Sequence, residues 1–411
     1  MRWWFPILVG GQLAVLLVKQ YEWEFAWAET GAAATASVSF IFPVVTMSAG
    51  WVANRWHRSG PIFQLCSHSR LPGAPHLVQF SVTLGYVLLS YLVTVAVAWT
   101  KAVMASGWGV PWPGYLFLGA VFLAIGTGFG YATCVIIESR LAVPAVGLVA
   151  FAAWLMLGQR SPLTIQLLGG YSGEQLASGP VAWRVLLAVG LGALAVAVGI
   201  SSDHWRSRPS AHAFSVVAAG LSIVAVVAMA NAGPLREPRS ADSVEPVCTE
   251  TAVEICVWPD QAGFLPELAV YAERLELLDN AGLDVPDRYT ERGLLGDDWS
   301  LHPSFHLQSA TGEWIRASSL TFHIGLDLSS PEDCVTDAAM EYSEWSRDLQ
   351  LVVAWPTFYV FGGTPPPGNG GGPEFDKERM SDLIALPEAE QIAWAVETTA
   401  KVTAERPCED T

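Results

Sequence analysis

The sequence lacks most of the residue patterns that mark an enzyme. It has no Gly-x-Ser-x-Gly turn to expose a nucleophilic serine, and its glycine-rich stretch 362–373 is not followed by the Lys-Ser or Lys-Thr of a phosphate-binding loop. Its one close histidine pair, His302 and His306, lacks the glutamate that a zinc peptidase places beside its first histidine. We therefore expect no catalytic site. A degenerate extracytoplasmic hydrolase that uses these two histidines is the enzymatic alternative.

Lysine is also scarce, and acidic residues are scarce in the first half of the chain. Only four of the 22 basic residues are lysine, a bias typical of GC-rich bacterial genomes. Residues 1–230 carry a net charge of +5, so the remainder of the 411-residue chain carries −22. A segment that acidic repels nucleic acid and anionic headgroups, and we expect no nucleic-acid partner.

Long apolar runs dominate the first 230 residues. About 20 mostly apolar residues are needed to cross the hydrocarbon core of a bilayer. Seven runs meet or approach this length: Trp3–Val18, Gly31–Val52, Leu77–Thr100, Pro113–Ile137, Leu141–Leu157, Val181–Ile200 and Ala211–Ala230. The sequence therefore predicts a bundle of about seven transmembrane helices that contacts the lipid bilayer directly.

Ionisable residues are absent from the centres of these runs, which disfavours a carrier driven by protons. Glu138 and Arg140 are expected in a tight turn, and Arg184 is expected close enough to a helix end for its side chain to reach the interface. The stretch Gly126-Thr-Gly-Phe-Gly130 lies inside an apolar run. It predicts close helix packing rather than phosphate binding.

The basic residues of the short loops set the orientation. A cytoplasmic N-terminus places seven inside (Arg2, Arg55, Arg58, Arg70, Arg140, Arg206 and Arg208) and four outside (Lys19, Lys101, Arg160 and Arg184). Seven crossings of a bacterial plasma membrane then carry an acidic domain, residues 248–411, to the extracytoplasmic side. Residues 231–247 are predicted to be the linker.

Four of the six cysteines lie in that outer part: Cys248, Cys256, Cys334 and Cys408. Disulfides are expected there, and the sequence permits three pairings. We favour Cys248–Cys256, because a separation of eight positions suits a small closed loop, and this leaves Cys334 to pair with Cys408. Metal binding is not expected, since there is no Cys-x-x-Cys pair and no suitably spaced histidine.

The acidic part has mixed local patterns and predicts a small α+β domain. Residues 254–258 alternate like a strand, and Pro266 opens an amphipathic helix. The apolar face of that helix is Leu268, Tyr271, Ala272, Leu275 and Leu278. A second strand is predicted within 314–328, a helix from Ser330 through 345–355, and two final helices at about 375–386 and 387–403.

The layout of the chain resembles a known family. The apolar bundle is followed by Cys248, then Ile255-Cys-Val-Trp-Pro-Asp260, then a helix from Leu265 to Leu278, and finally Cys334, Trp355 and a C-terminal helix. In this arrangement the chain resembles bacterial type-2 ABC transporter permeases, specifically a permease-like subgroup with an extracytoplasmic domain of unknown function. One departure is the seventh span, because the membrane unit of this family usually has six.

The resemblance implies a membrane subunit that works with a separately encoded ABC-type ATPase and pairs with a second permease subunit, identical or different. It implies no cofactor on this chain. The cytoplasmic loop 54–76 would contact the ATPase through Arg55, His57, Arg58 and Arg70. Export of a lipophilic compound or peptide is the expected function. The alternative is a membrane-anchored extracytoplasmic binding or sensor protein without transport activity.

Overall fold

A computed structural model describes residues 3–18, 27–58, 74–104, 112–137, 139–157, 161–164, 173–202, 209–239, 244–291, 293–294, 304–305, 344–362 and 376–404. The chain divides into two compact units, residues 1–238 and residues 239–411. Each unit has its own buried apolar core among these residues. The first is called the membrane unit and the second the C-terminal unit.

The membrane unit is mostly helical. Its helices are α1 (Trp4–Val18), α2 (Trp27–Arg58), α3 (Ala74–Met104), α4 (Pro113–Ile136), α5 (Ala142–Met156), α6 (Ser178–Ser202) and α7 (Pro209–Asn231). Five apolar stretches are long enough to cross a membrane: Thr30–Trp56, Ala74–Met104, Pro113–Ile136, Ser178–Ser201 and His212–Asn231. Helices α1 and α5 are also apolar but shorter, with 15 residues each. Such a helix is about 22 Å long, less than a hydrocarbon core of about 30 Å.

Helix α4 packs closely on two neighbours along its glycine run. A Cβ atom added to Gly130 would overlap the carbonyl oxygen of Thr46 in α2. One added to Gly128 would lie 2.9 Å from Cβ of Leu191 in α6. These contacts require glycine because a side chain would push the backbones apart, and they confirm the predicted packing role of the run.

The helix ends differ from the expected spans. Helix α2 continues to Arg58 and α3 already begins at Ala74, so both ends of the predicted loop 54–76 are helical. The predicted tight turn between α4 and α5 is present, since only five residues separate Ile136 from Ala142. Glu138 itself lies outside the described residues.

A small two-stranded sheet lies where α6 begins and α7 ends. Strand β1 (Glu174–Leu176) pairs antiparallel with β2 (Arg236–Pro238), so part of the predicted linker 231–247 is a strand. Arg236 forms a 2.8 Å ion pair with Glu174 across this sheet.

Arg184 lies near the beginning of α6, as expected, but its side chain does not reach solvent. This side chain is fully buried in the second turn of α6. Its Nη2 atom donates to the carbonyl oxygens of Pro162 at 2.8 Å and Thr164 at 3.0 Å, and Nη1 donates to that of Pro180 at 2.9 Å. The segment 161–164 thus supplies the acceptors that water would supply at an interface, and the guanidinium stays inside.

The C-terminal unit contains a sheet in the order β3 (Val247–Cys248), β4 (Glu254–Val257), β5 (Arg288–Glu291) and β6 (Ser304–Phe305). The first pair is antiparallel and the other two pairs are parallel. A 3-10 helix, Pro259–Phe264, leads into α8 (Leu265–Asn280). The five apolar residues predicted for one face of α8 are its buried residues, so that prediction is confirmed.

Three further helices complete the described part of this unit: α9 (Glu344–Phe361), α10 (Lys377–Ile384) and α11 (Glu388–Ala404). The last two confirm the predicted final pair. The buried carboxylate of Asp348 in α9 joins all three helices, because it forms ion pairs with Arg379 at 2.9 Å and Lys401 at 3.0 Å. The apolar core includes Ile255, Leu268 and Trp355.

Several predictions fall outside the described residues. They are the strand within 314–328, the helix start at Ser330, most of the glycine-rich stretch 362–373, and the pair His302 and His306.

Candidate functional site: a polar layer inside the helical bundle

Polar side chains lie buried in the interior of the membrane unit. The buried neutral ones on α1 to α4 include Gln12, Thr35, Ser37, Ser39, Thr46, Ser48, Thr83, Ser90, Thr94 and Thr127. Several bond within their own helix: the hydroxyl of Thr46 donates to the carbonyl oxygen of Phe42 at 2.9 Å, and that of Thr127 to the carbonyl oxygen of Leu123 at 2.7 Å. Such contacts satisfy the hydroxyl locally and link no other helix.

A second group links different helices. Gln12 of α1 is fully buried, and its Nε2 atom donates to Ser90 Oγ of α3 at 3.0 Å. Ser90 passes the hydrogen bond on, since its hydroxyl donates to the carbonyl oxygen of Val87 at 2.7 Å. The other amide atom, Gln12 Oε1, is buried and has no hydrogen-bond partner among the described residues.

Tyr91, the residue after Ser90 in α3, lies close to a side chain of α2 that in turn bonds to α4. The hydroxyl oxygens of Tyr91 and Thr35 lie 3.3 Å apart, and the Thr35 hydroxyl is 2.7 Å from the carbonyl oxygen of Tyr115, to which it donates. Three helices therefore meet at the Thr35 side chain. We call the residues Gln12, Thr35, Ser90, Tyr91 and Tyr115 the polar layer.

Close packing holds the layer in place. A Cβ atom added to Gly119 would overlap the ring of Tyr91, so α4 offers glycine where this ring lies. The ring of Tyr115 stacks on Trp112 with centroids 5.6 Å apart. The Tyr115 hydroxyl is buried and has no hydrogen-bond partner among the described residues. The layer thus holds two polar atoms with unused hydrogen-bonding capacity.

The chemistry open to the layer is neutral hydrogen bonding. Amide and hydroxyl groups donate and accept hydrogen bonds without carrying charge at neutral pH. Burying such groups without partners is costly, and more so in a bundle surrounded by lipid. The arrangement suits contact with a polar, uncharged part of a bound molecule. It offers no group that changes charge near neutral pH.

The sequence analysis did not predict this layer, because it considered only ionisable residues within the apolar runs. A signal was present, since Gln12 interrupts the apolar run 3–18 and Ser90 and Tyr91 interrupt the run 77–100. Many serines and threonines occur in these runs. The rotation of each helix decides which of them face another helix, and the sequence of one apolar run does not reveal that rotation.

The cysteine predictions divide between described and undescribed residues. A disulfide joins Cys248 to Cys256, with the sulfur atoms 2.07 Å apart. The two residues are directly opposite each other on β3 and β4. Cys334 and Cys408 lie outside the described residues, so their pairing stays a prediction.

The same cysteines form a possible ligand group with one carboxylate. The ligand atoms of Cys248, Cys256 and Glu254 all lie within 4.8 Å of one another. Metal coordination needs cysteine thiolates, and both sulfur atoms are already joined in the disulfide. In this state the group has no thiolate to offer, and Glu254 instead forms an ion pair with Arg288 at 3.5 Å.

Three of the four residues expected to contact an ATPase lie at the end of α2. The Arg55 side chain is exposed there, and the neighbouring Asn54 donates a 2.7 Å hydrogen bond to the carbonyl oxygen of Ser139 in the α4–α5 turn. His57 and Arg58 belong to the same helical turn, but their side chains are outside the described part. Arg70 also lies outside it.

Comparisons with known proteins add no relative to this description. No family model, no curated protein and no solved structure matches the chain. The resemblance to type-2 ABC permeases therefore stays a prediction from the sequence.

Proposed function

We propose that this chain is the permease-like membrane subunit of an ABC-type transporter that exports a lipophilic compound or peptide. The polar layer carries the proposal, because it places interhelical hydrogen bonds and two unpartnered polar atoms inside a bundle of apolar helices. Polar groups with spare hydrogen-bonding capacity are costly in such surroundings. Contact with the polar part of a substrate offsets that cost.

The source of energy lies on another chain in this proposal. The five side chains of the polar layer are uncharged at neutral pH, so they do not support coupling to protons. The sequence has no phosphate-binding loop of its own. A separately encoded ATPase would supply the energy and contact Arg55, His57, Arg58 and Arg70, and a second permease subunit, identical or different, would complete the assembly.

The proposed topology has seven crossings of the bacterial plasma membrane. The five long helices cross fully, and α1 and α5 cross with local thinning of the bilayer or with the help of flanking residues. The N-terminus is then cytoplasmic and residues 248–411 form an extracytoplasmic α+β domain. The disulfide between Cys248 and Cys256 supports this side, because such bonds persist in oxidising compartments.

A second candidate function is a membrane-anchored binding or sensor protein without transport activity. The C-terminal unit favours it, because this unit has its own apolar core around Ile255, Leu268 and Trp355. Deleting 248–411 separates the two functions. Reduced but measurable transport supports the permease, whereas loss of every phenotype supports the sensor.

The direct test of the permease is purification of the full chain together with the ABC ATPases of its host. A specific ATPase should co-purify, and its ATP hydrolysis should rise in the presence of this chain. A chain that never associates with an ATPase contradicts the proposal.

The polar layer is tested by Gln12→Leu, with Ala14→Leu as the matched control because Ala14 is exposed on the same helix. We expect Gln12→Leu to lower transport while the ATPase still associates. Equal transport by both variants means that the layer has no part in it.

A further inference from the structure

Helices α2 and α5 form a continuous seam along the side of the membrane unit. Near one end the ring of Phe40 lies 5.3 Å from that of Trp154. Further along, a Cβ atom added to Gly147 would overlap the side chain of Met47. Residue numbers rise along α2 as they fall along α5, so the two helices are antiparallel. The seam therefore leads from Met47 toward the end of α2 and the beginning of α5.

The seam ends at a fixed contact. Asn54 is buried and donates to the carbonyl oxygen of Ser139 at 2.7 Å. Ser139 also shapes the turn into α5, because its hydroxyl accepts from the backbone N–H of Leu141 at 3.2 Å and its carbonyl oxygen from that of Ala142 at 3.1 Å. The end of α2 and the α4–α5 turn are thus held together.

Two arginines flank this contact. Arg55 and Arg140 each follow directly a residue of the Asn54–Ser139 hydrogen bond, about 3.8 Å along the chain, and both are exposed. Helix α5 begins two residues after Arg140, and the N-terminal end of a helix adds a partial positive charge. The intervening Glu138 lies outside the described residues.

Exposed apolar residues lie near the arginines along the chain. Trp51 lies one helical turn before Arg55 and is 49% exposed, while Ile137 is 48% and Leu141 76% exposed. Guanidinium groups bind phosphate oxygens well, and a free phosphate ion gains nothing from apolar neighbours. A molecule with a phosphate at one end and hydrocarbon at the other uses both features.

We propose that Arg55 and Arg140 bind the phosphate of an anionic phospholipid, whose acyl chains lie on the α2–α5 seam beside Trp51 and Leu141. The site is at the end of two apolar helices, where lipid headgroups meet protein, and basic groups at that depth attract anionic headgroups. The proposal is independent of the proposed function. Arg55 is also a proposed ATPase contact, and the test below contains no ATPase, so its failure concerns the lipid alone.

The experiment titrates the purified full chain, in neutral detergent, with short-chain phosphatidylglycerol or phosphatidylcholine and follows binding by native mass spectrometry. We expect tighter binding of phosphatidylglycerol. Arg55→Gln and Arg140→Gln should each weaken it about fivefold, without changing the binding of phosphatidylcholine. Arg55→Lys should keep most of the affinity.

Lys101→Gln is the control, because it removes a basic residue from the last turn of α3. It should leave phosphatidylglycerol binding unchanged. Equal binding of the two lipids, an equal loss in Lys101→Gln, or displacement of the lipid by inorganic phosphate at similar concentration each overturns the proposal; the last outcome would identify a site for free anions. If one of the two glutamine variants is not monodisperse, the other decides.

Discussion

Arg184 donates a 3.0 Å hydrogen bond from Nη2 to the carbonyl oxygen of Thr164, a residue twenty positions earlier in the chain. The guanidinium thereby connects the segment 161–164 to α6, and the Arg184 side chain itself is fully buried. Its removal would take away these buried hydrogen bonds, and the loss of a buried partner costs about 1–3 kcal/mol.

We therefore expect Arg184→Met to lower the thermal midpoint of the membrane unit strongly. Arg184→Lys should recover only part of the loss, because an ammonium group does not reproduce the planar fork of donors. Thermal unfolding of the purified chain in detergent measures both. Lys101→Met is the control for loss of one positive charge, and a similar effect of all three variants would contradict the structural role of Arg184.

The close helix crossing at Gly130 predicts that a side chain at this position lowers the stability of the bundle. Gly130→Ala forces a Cβ atom against the carbonyl oxygen of Thr46 and should destabilise the bundle by about 1–3 kcal/mol. Gly220→Ala is the matched control, since a Cβ atom there meets nothing within 4 Å. Alanine at that helical position should be neutral or stabilising. If the two variants unfold at the same temperature, the close crossing is wrong.

The disulfide predicts a redox-dependent stability of the C-terminal unit. Replacing Cys248 and Cys256 by serine opens a loop with a sequence separation of 8 and should cost about 2–3 kcal/mol. Hydrogen exchange of β4 in the full chain reports this loss. A reductant should accelerate exchange in the wild type and leave the double variant unchanged; no response of the wild type would argue against the bond.

The same cysteines test the proposed topology. After reduction, a membrane-impermeant alkylating reagent added to intact cells should label Cys248, which is half-buried, faster than the fully buried Cys256. The variant Cys248→Ser identifies the labelled site. Labelling that requires lysis would place the C-terminal unit in the cytoplasm, and the proposed seven crossings would then be wrong.

Tyr289 predicts a loss of stability at high pH. Burial raises the pKa of its hydroxyl above the usual value, and the negative charge of Asp284 acts in the same direction. A raised pKa means that the folded state holds the proton longer than the unfolded state. Stability is therefore complete below the unfolded pKa of about 10 and falls above it, by up to about 1.4 kcal/mol per pH unit.

Tyr289→Phe should weaken that loss. At neutral pH it should cost little, since the Tyr289 hydroxyl has no hydrogen-bond partner among the described residues. Tyr271→Phe is the comparison, because its hydroxyl donates to Glu267 at 2.9 Å and its loss should cost about 0.5–1.5 kcal/mol at neutral pH. Alkaline unfolding of the three proteins measures the difference, and an identical pH dependence would contradict it.

Local sequence patterns were sufficient to predict several elements of the fold. The apolar face of α8 follows from residues three and four positions apart, and the turn between α4 and α5 follows from polar residues between two apolar runs. The glycine run of α4 predicted a close helix crossing, because small residues inside apolar helices allow two backbones to approach each other. None of these inferences needs to know which segments are neighbours in space.

Which polar groups meet and which charges are buried depends on how distant segments of the chain pack together. The burial of Arg184 depends on the carbonyl oxygens of Pro162 and Thr164, which belong to a separate segment of the chain. Gln12 and Ser90 are 78 positions apart, and their contact depends on the rotation and register of two helices. A helix in lipid has little periodic contrast to fix that rotation, because lipid-facing and core-facing residues are both apolar. Packing against the other helices therefore sets it.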